Sequence, residues 1–213
     1  MFYTHKNGVS FRKLESSDLE MLKALKDESW FGTVNTTCVN MDDQRKWFEK
    51  ISNDKSCLFF MAFPPALPAP PYPWQIVGNT PSPCALFGLT SIDGLNQSCE
   101  FTHSVFKERR GQGLGKATLR AGIDMAFEVF NMRRIETWIL ENNLAEIKTA
   151  MSVGFREEGR KREAVYKCGT YFDCVLFGLL EEEWNNTAEV NTSRHSAENP
   201  GVCNLSYVPK ATR

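Results

Sequence analysis

Apolar and polar positions along the chain switch between strict alternation and helical spacing, and the switches mark out the elements. Ser10-Phe11-Arg12-Lys13-Leu14 alternates as a short strand. Ser17-Asp18-Leu19-Glu20 reads as a capping box, and Leu19, Leu22 and Leu25 then recur on one helical face. Asn40 precedes a second helix that carries Trp47, Phe48 and Ile51 and ends at Asn53-Asp54. Cys57 to Phe63 reads as a buried strand and Cys84 to Ile92 as another, with Asp93-Gly94 turning the chain into a third, Ser98 to Phe106. A helix is predicted from Gln112 to about Phe130. Gln112, Lys116, Arg120, Asp124 and Glu128 form its solvent stripe, leaving Leu114, Ala117, Ala121, Met125 and Val129 for packing. Arg133 to Glu141 alternates again. Leu144, Ile147 and Met151 give a short helix stopped by Gly154, and strands follow from Phe155 and over Tyr171 to Leu180.

Two stretches break this pattern. Eight of the ten prolines fall within residues 64–83, which can neither wind as a helix nor pair as a central strand. They predict an extended insertion between two strands of a hairpin, with Tyr72 and Trp74 as its anchors. Neither flank would build a core alone, so residues 1–184 are expected to form a single domain. Residues 185–213 are polar and aperiodic and read as a flexible tail, with one short strand offered at Val202 to Val208.

Composition narrows the function classes. The chain has 213 residues, a net charge of -1 and 42% hydrophobic residues, as in a soluble globular protein. That balance gives no reason to expect nucleic acid as the partner. Prolines end the apolar run Leu58 to Phe63 far short of a membrane span, and Met1-Phe2-Tyr3-Thr4-His5-Lys6 opens no signal region, so a cytoplasmic protein is expected. The seven cysteines never stand at C-x-x-C spacing and only three histidines accompany them, so reduced thiols and no metal site are expected.

The candidate chemistry lies in Arg109-Arg110-Gly111-Gln112-Gly113-Leu114-Gly115-Lys116-Ala117, after a strand and at the start of a helix. The amides of a first helical turn lack intrahelical partners and carry the positive end of the dipole, and glycine lets a bulky anion reach them. Gly111 to Lys116 is one residue short of a P-loop, and Ala117 stands where Ser or Thr would bind magnesium. The dinucleotide pattern G-x-G-x-x-G fails as well, its last position falling on Lys116 or Thr118.

Arg110-x-x-Gly113-x-Gly115 instead resembles the pyrophosphate-binding motif of the GNAT N-acetyltransferases. Asn143, eleven residues before Gly154-Phe155 and followed by Glu157-Glu158-Gly159, is similar to a second segment of that family. Gly169-x-Tyr171-x-Asp173 with the closing Leu179-Leu180-Glu181-Glu182-Glu183-Trp184 resembles the RimJ/RimL-like branch, which acetylates N-termini of ribosomal proteins. The resemblance covers about residues 8–184 apart from the insertion.

The resemblance implies a mixed α/β fold. A mostly antiparallel sheet of six to seven strands would be split at its centre between Ser98–Phe106 and Arg133–Glu141 and flanked by about four helices. It implies acetyl-CoA as cofactor, held by Ser104, Val105, Phe106, Arg110, Gly111, Gln112, Gly113, Leu114, Gly115, Lys116 and Asn143. The Val105 N–H would face the thioester oxygen. Glu100 is the candidate base and Ser104 a second candidate catalytic group, anchoring the cofactor or ordering a water. Glu100 and Asn143 also have plainer readings, an exposed or salt-bridged strand carboxylate and a helix cap. Many family members place a tyrosine seven residues after the asparagine as the acid for the leaving thiolate, and this chain has Ala150 there.

The acceptor is expected to be an amine, first a protein N-terminal α-amine and alternatively an amino sugar, polyamine, amino acid or antibiotic. The Asp27–Thr37 and Gly159–Thr170 loops are the expected acceptor walls. Asp27, Glu28, Asp42 and Asp43 are either attractors of a cation or ordinary helix-end charges. A CoA-binding module without catalysis, and a proline-rich ligand built on Pro65, Pro68 and Pro71, are the competing classes. The chain is expected to be a monomer or homodimer.

Overall fold

A computed structural model describes residues 2–34, 40–65 and 82–186. Most of the proline-rich insertion, including Tyr72 and Trp74, lies outside the described residues, as do Cys38, Cys203 and the Val202–Val208 strand.

Eight strands form one sheet: β1 (Phe2–Thr4), β2 (Ser10–Lys13), β3 (Leu58–Phe63), β4 (Ala85–Asp93), β5 (Ser98–Val105), β6 (Arg134–Leu140), β7 (Arg156–Lys167) and β8 (Thr170–Leu180). Their order is β1-β2-β3-β4-β5-β6-β8-β7. The strand beyond the expected six to seven is the short β1, too brief to show a period. Every neighbouring pair is antiparallel except β5–β6. The helices are α1 (Leu19–Ser29), α2 (Met41–Asn53), α3 (Leu114–Asp124) and α4 (Leu144–Ser152), with a closing helical turn over 181–186. The β3–β4 hairpin pairs Leu58 with Leu89 and Ala62 with Ala85, so the insertion does leave from a hairpin.

The main core joins the sheet to α3 through Phe11, Phe87, Phe101, Ile123, Phe127 and Ile135. A second core sets Leu14, Leu22, Leu25, Phe59 and Met61 under α1 and α2. Asn40 caps α2 as expected, its side chain accepting from the Asp43 N–H at 2.8 Å.

Five local expectations are corrected. The capping box lies at Glu15 and Asp18, where a single 3-10 turn leads into α1. Asp18 receives both the Glu15 N–H at 2.8 Å and the Arg12 guanidinium, which draws the helix entry upstream of Ser17. The glycine helix starts at Leu114, not Gln112, because Gly113 takes a left-handed φ of 75° as its cap. Its end widens into a π-helical turn, Met125–Val129, which shifts the helical register and swings Val129 out to 50% exposure. Asp124, expected on the solvent stripe, is buried. The Gly159–Thr170 segment is mostly strand β7, turned into β8 at Cys168-Gly169, where both residues have positive φ.

Candidate active site at the fork of the sheet

Strands β5 and β6 pair only at Ser98–Arg134, Cys99–Ile135 and Glu100–Glu136 and then part. Gln97 O accepts from Arg133 N at 2.7 Å, so odd-numbered residues of β5 turn their main-chain groups toward β6. Beyond Glu100 that alternation directs the polar backbone of His103 and Val105 into the open fork. The Phe106 N–H points the other way, onto Cys84 O at 3.0 Å, and the Phe106 ring is buried. Of the three residues expected to hold the pantetheine arm by their backbone, Val105 therefore faces the fork, whereas Phe106 and Ser104, the latter opposite Leu86, turn theirs to β4.

The fork opens into two adjoining cavities. One, of about 500 Å³, is lined by Ser104, Val105, Arg110, Gly111, Gly115 and Asn143 among others. Gly111 and Gly113 have φ of 74° and 75°, a region costly for any residue with a Cβ. Nothing lies within 4 Å of where their Cβ atoms would stand. These two glycines are not spacers for tight packing of a helix on a strand. They leave the first amides of α3 bare toward the cavity, a cradle that fits a diphosphate. Arg110 Nε donates to Val105 O at 3.1 Å, tying the loop to the strand end, and Gln112 Nε2 donates to Glu108 O at 2.9 Å. Leu114 is half-buried and Lys116 is exposed at the same helix start.

The second cavity, of about 290 Å³, lies on the α1–α2 side of the fork. Lys26, Trp47, Phe59, Thr90, Glu100 and Trp138 line it. Glu100 is half-buried at the last paired position of the fork, and Thr90 Oγ1 donates to it at 3.5 Å. Lys26 Nζ sits 4.1 Å from the centre of the Trp47 ring and donates to Gln44 Oε1 at 3.0 Å. Burial holds its ammonium below the usual lysine range. His103 turns away from Glu100, its Nε2 2.8 Å from Thr118 Oγ1, and burial pushes it down to about 4.

Asn143 does more than cap. Its Oδ1 accepts from Glu146 N at 3.3 Å, while Nδ2 donates to Gly32 O at 2.9 Å and to Glu146 Oε2 at 2.6 Å. It thereby links α4 to the loop after α1. Of the loop expected as an acceptor wall, Gly32, Thr33 and Val34 line the second cavity. Residues 35–37 lie outside the described chain. The other expected wall, Gly159–Thr170, lines neither cavity. Its contribution is a brace, because Lys167 Nζ donates to Thr33 O, and Phe172 of β8 adds an edge-on contact to Phe31 at 5.9 Å. Asp27 pairs with Lys23, Asp42 pairs with Arg45 at 2.8 Å and Asp43 caps α2, while Glu28 lines the larger cavity.

Sequence reasoning missed Glu146 and Lys26. An acid in the first turn of a helix and a lysine on an amphipathic one carry no signal of their own. Burial pushes the Glu146 carboxyl up to about 7, with the Asn143 hydrogen bond acting against the rise. The described cysteines are free. Burial lifts Cys84 to about 11 and Cys99 to about 12, which leaves both unreactive. Among the described residues no metal-ligating side chains cluster, and no helix is long and apolar enough to cross a membrane.

The acetyltransferase (GNAT) domain family matches residues 9–156, from the start of β2 through both arms of the fork. The chain belongs to the GNAT acetyltransferase family. The Bacillus subtilis protein named Putative ribosomal N-acetyltransferase YdaF is 31% identical over 101 residues, 47% of this chain and 55% of that protein. Spermidine N(1)-acetyltransferase of Vibrio cholerae is 25% identical over 104 residues, 49% of this chain and 60% of that enzyme. The chain thus spans little more than half the length of these curated relatives. A crystal structure of the Vibrio cholerae spermidine N-acetyltransferase with CoA and spermine shares the fold, with a TM-score of 0.69 and 20% identity over 84% of this chain and 99% of that one.

Proposed function

We propose that this GNAT domain transfers the acetyl group of acetyl-CoA to a primary amine, and that the acceptor is a protein N-terminal α-amine. The observation that carries the reading is the fork: a diphosphate cradle opens on one side, a separate cavity with an aromatic wall on the other, and Ser104 borders both.

Arg110 and the Gly111–Lys116 backbone would hold the diphosphate. The main-chain groups of His103 and the N–H of Val105 would bind the pantetheine arm as a neighbouring strand would, with that N–H toward the thioester oxygen, while Val105 O stays on Arg110. Bound there, acetyl-CoA supplies the activated acetyl group. Asn143 and the loop at Gly32 close the fork from α4. Alkyl amines are protonated at neutral pH and must lose a proton to attack. Glu100 supplies negative charge on the acceptor side, where an ammonium would enter. Holding amine and thioester in line supplies much of the rate.

For the acceptor, similarity to YdaF supports a protein N-terminus, and the kinship with spermidine acetyltransferases supports a polyamine. Lys26 favours the former, since a polycation would bring its further ammonium groups against that cation, whereas a peptide brings carbonyls that Lys26 can hold. The test is acetyl-CoA consumption with peptides bearing a free α-amine, beside spermidine and an amino sugar, with the product analysed by mass spectrometry. Acetylation at the peptide α-amine supports the reading. Turnover of spermidine alone removes the peptide acceptor, and no turnover with any amine removes the enzyme.

A further inference from the structure

The two cavities at the fork share Ser29, Gly32, Thr33, His103, Ser104 and Glu146. Of these, His103 and Glu146 carry side chains that titrate. His103 is committed to Thr118 and is held neutral by burial. Glu146 is thus the one ionisable group, among the described residues, that borders both the cofactor side and the acceptor side and is able to change charge near neutrality. It also faces the small third cavity under α4, beside Ala150, one helical turn further along the same face.

Building on the acetyl-transfer reading above, we propose that Glu146 is a catalytic residue whose carboxylate takes the proton from the attacking amine nitrogen and passes it to the departing sulfur. An N–H bond breaks as Oε–H forms. The nitrogen joins the acetyl carbon, and the C–S bond breaks with its electron pair staying on sulfur. The carboxyl then gives its proton to that sulfur and returns to carboxylate, so amine plus thioester become amide plus thiol.

Three features of the site support this. Asn143 Nδ2, 2.6 Å from Glu146 Oε2, aims the carboxyl. The carboxyl borders both cavities, whereas Glu100 lines only the acceptor side and so faces the amine but not the sulfur. A group near neutrality both accepts and releases a proton readily, and burial puts Glu146 there. The other charged or titratable side chains at the fork are Glu28 and Lys26 from α1, Glu100 and His103 from β5, and Arg110 from the loop before α3. Ala150, which carries no proton donor, lies one turn beyond Glu146 on the same helix face.

Glu146→Gln keeps the side chain's size and removes its proton. We expect kcat to fall by about 100-fold or more, and the acid limb expected below about pH 7 in the unaltered chain to be absent from the variant. CoA affinity by calorimetry should stay unchanged, and Glu146→Asp should restore part of kcat. Apart from turnover, carbon-13 NMR of the unaltered chain should show one glutamate carboxyl titrating near 7. A Gln variant that keeps the acid limb overturns the proposal. So does a parallel loss of kcat and CoA affinity, which would mark a structural role. Should the Gln variant fail to fold, the NMR titration decides, and glutamates that all titrate in the ordinary carboxylate range overturn it. Failure of the acetyl-transfer reading shows in the unaltered chain, whereas failure of this proposal alone shows as an active chain indifferent to Glu146.

Discussion

His5 Nε2 lies 2.6 Å from Asp124 Oδ2, and Trp184 Nε1 donates to the other oxygen of that carboxylate at 2.6 Å. All three residues are buried, so one acid fastens the segment after β1, the end of α3 and the closing helical turn. Burial alone would lower the imidazole. The Asp124 hydrogen bond and charge outweigh it and hold His5 above its usual 6.5. Burial would raise Asp124, and the bonds from His5 and Trp184 with the Lys6 charge hold it below 3.8. The His5 contribution is therefore full below 6.5 and is lost as pH rises through the raised value. The Asp124 contribution is present above 3.8 and is lost as pH falls through the lowered one. Thermal stability should peak between these limits. Asp124→Ala should cost about 3 kcal/mol, or about 2–4 °C in Tm per kcal/mol, and flatten the decline above neutrality. The cradle lies about 16 Å away along α3, so CoA affinity by calorimetry should not change.

At the other end of α3, Gly113→Val puts a branched side chain on a left-handed residue and into the open space proposed above for the diphosphate. Strain should cost about 1–2 kcal/mol of stability. Calorimetry should show CoA binding weakened by far more than the tenfold that 1.4 kcal/mol represents. Gly94→Ala, in an open turn without a positive φ, should leave both unchanged. Undiminished CoA binding in the Gly113 variant would mean that the loop is not the cradle.

What could be read from the chain and what could not divides along physical lines. Alternation and helical spacing report which face of an element is buried, so β2 to β6, α1, α2 and α4 were all legible, as was the glycine loop, whose backbone demands glycine. Polar residues satisfied by distant partners were not. Asp124 meets His5 across 119 positions and Trp184 across 60, and in sequence it is one more member of a polar stripe. Val129 was misplaced because a π-helical turn shifts the register that the spacing assumes. The Gly159–Thr170 segment is charged enough to read as loop, yet as an edge strand it needs only one paired side. Glu146 matters through the cavities it borders, and no spacing rule reports a cavity.

Gly88, in the middle of β4, leaves no room for a side chain: a Cβ there would come within 2.6 Å of the Phe59 ring and 2.8 Å of Thr102 Cγ2. Phe59 packs on Trp47 with ring centres 5.1 Å apart, and both line the second cavity, the proposed acceptor site. Gly88→Ala should cost about 1–3 kcal/mol and push Phe59 toward Trp47. Steady-state kinetics should then show a raised KM for the amine and little change in CoA affinity. A KM that does not move would place the acceptor elsewhere.

The proposed choice of a peptide over a polyamine acceptor turns on Lys26. Its ammonium leans on the Trp47 face at the acceptor cavity, and burial has already weakened its hold on the proton. A cation there repels a polycationic acceptor and holds a peptide carbonyl. Lys26→Met removes the charge and keeps the apolar stem against Trp47. It should raise KM for an N-terminal peptide several-fold, the scale of about 1 kcal/mol for one hydrogen bond. Lys26→Glu should go further and give the cavity measurable affinity for spermidine. Both effects are read by competition between peptide and spermidine under a fixed concentration of acetyl-CoA. If both variants keep the original preference, Lys26 does not meet the acceptor. If Lys26→Met instead loses spermidine turnover that the unaltered chain possesses, the polyamine reading replaces the peptide one.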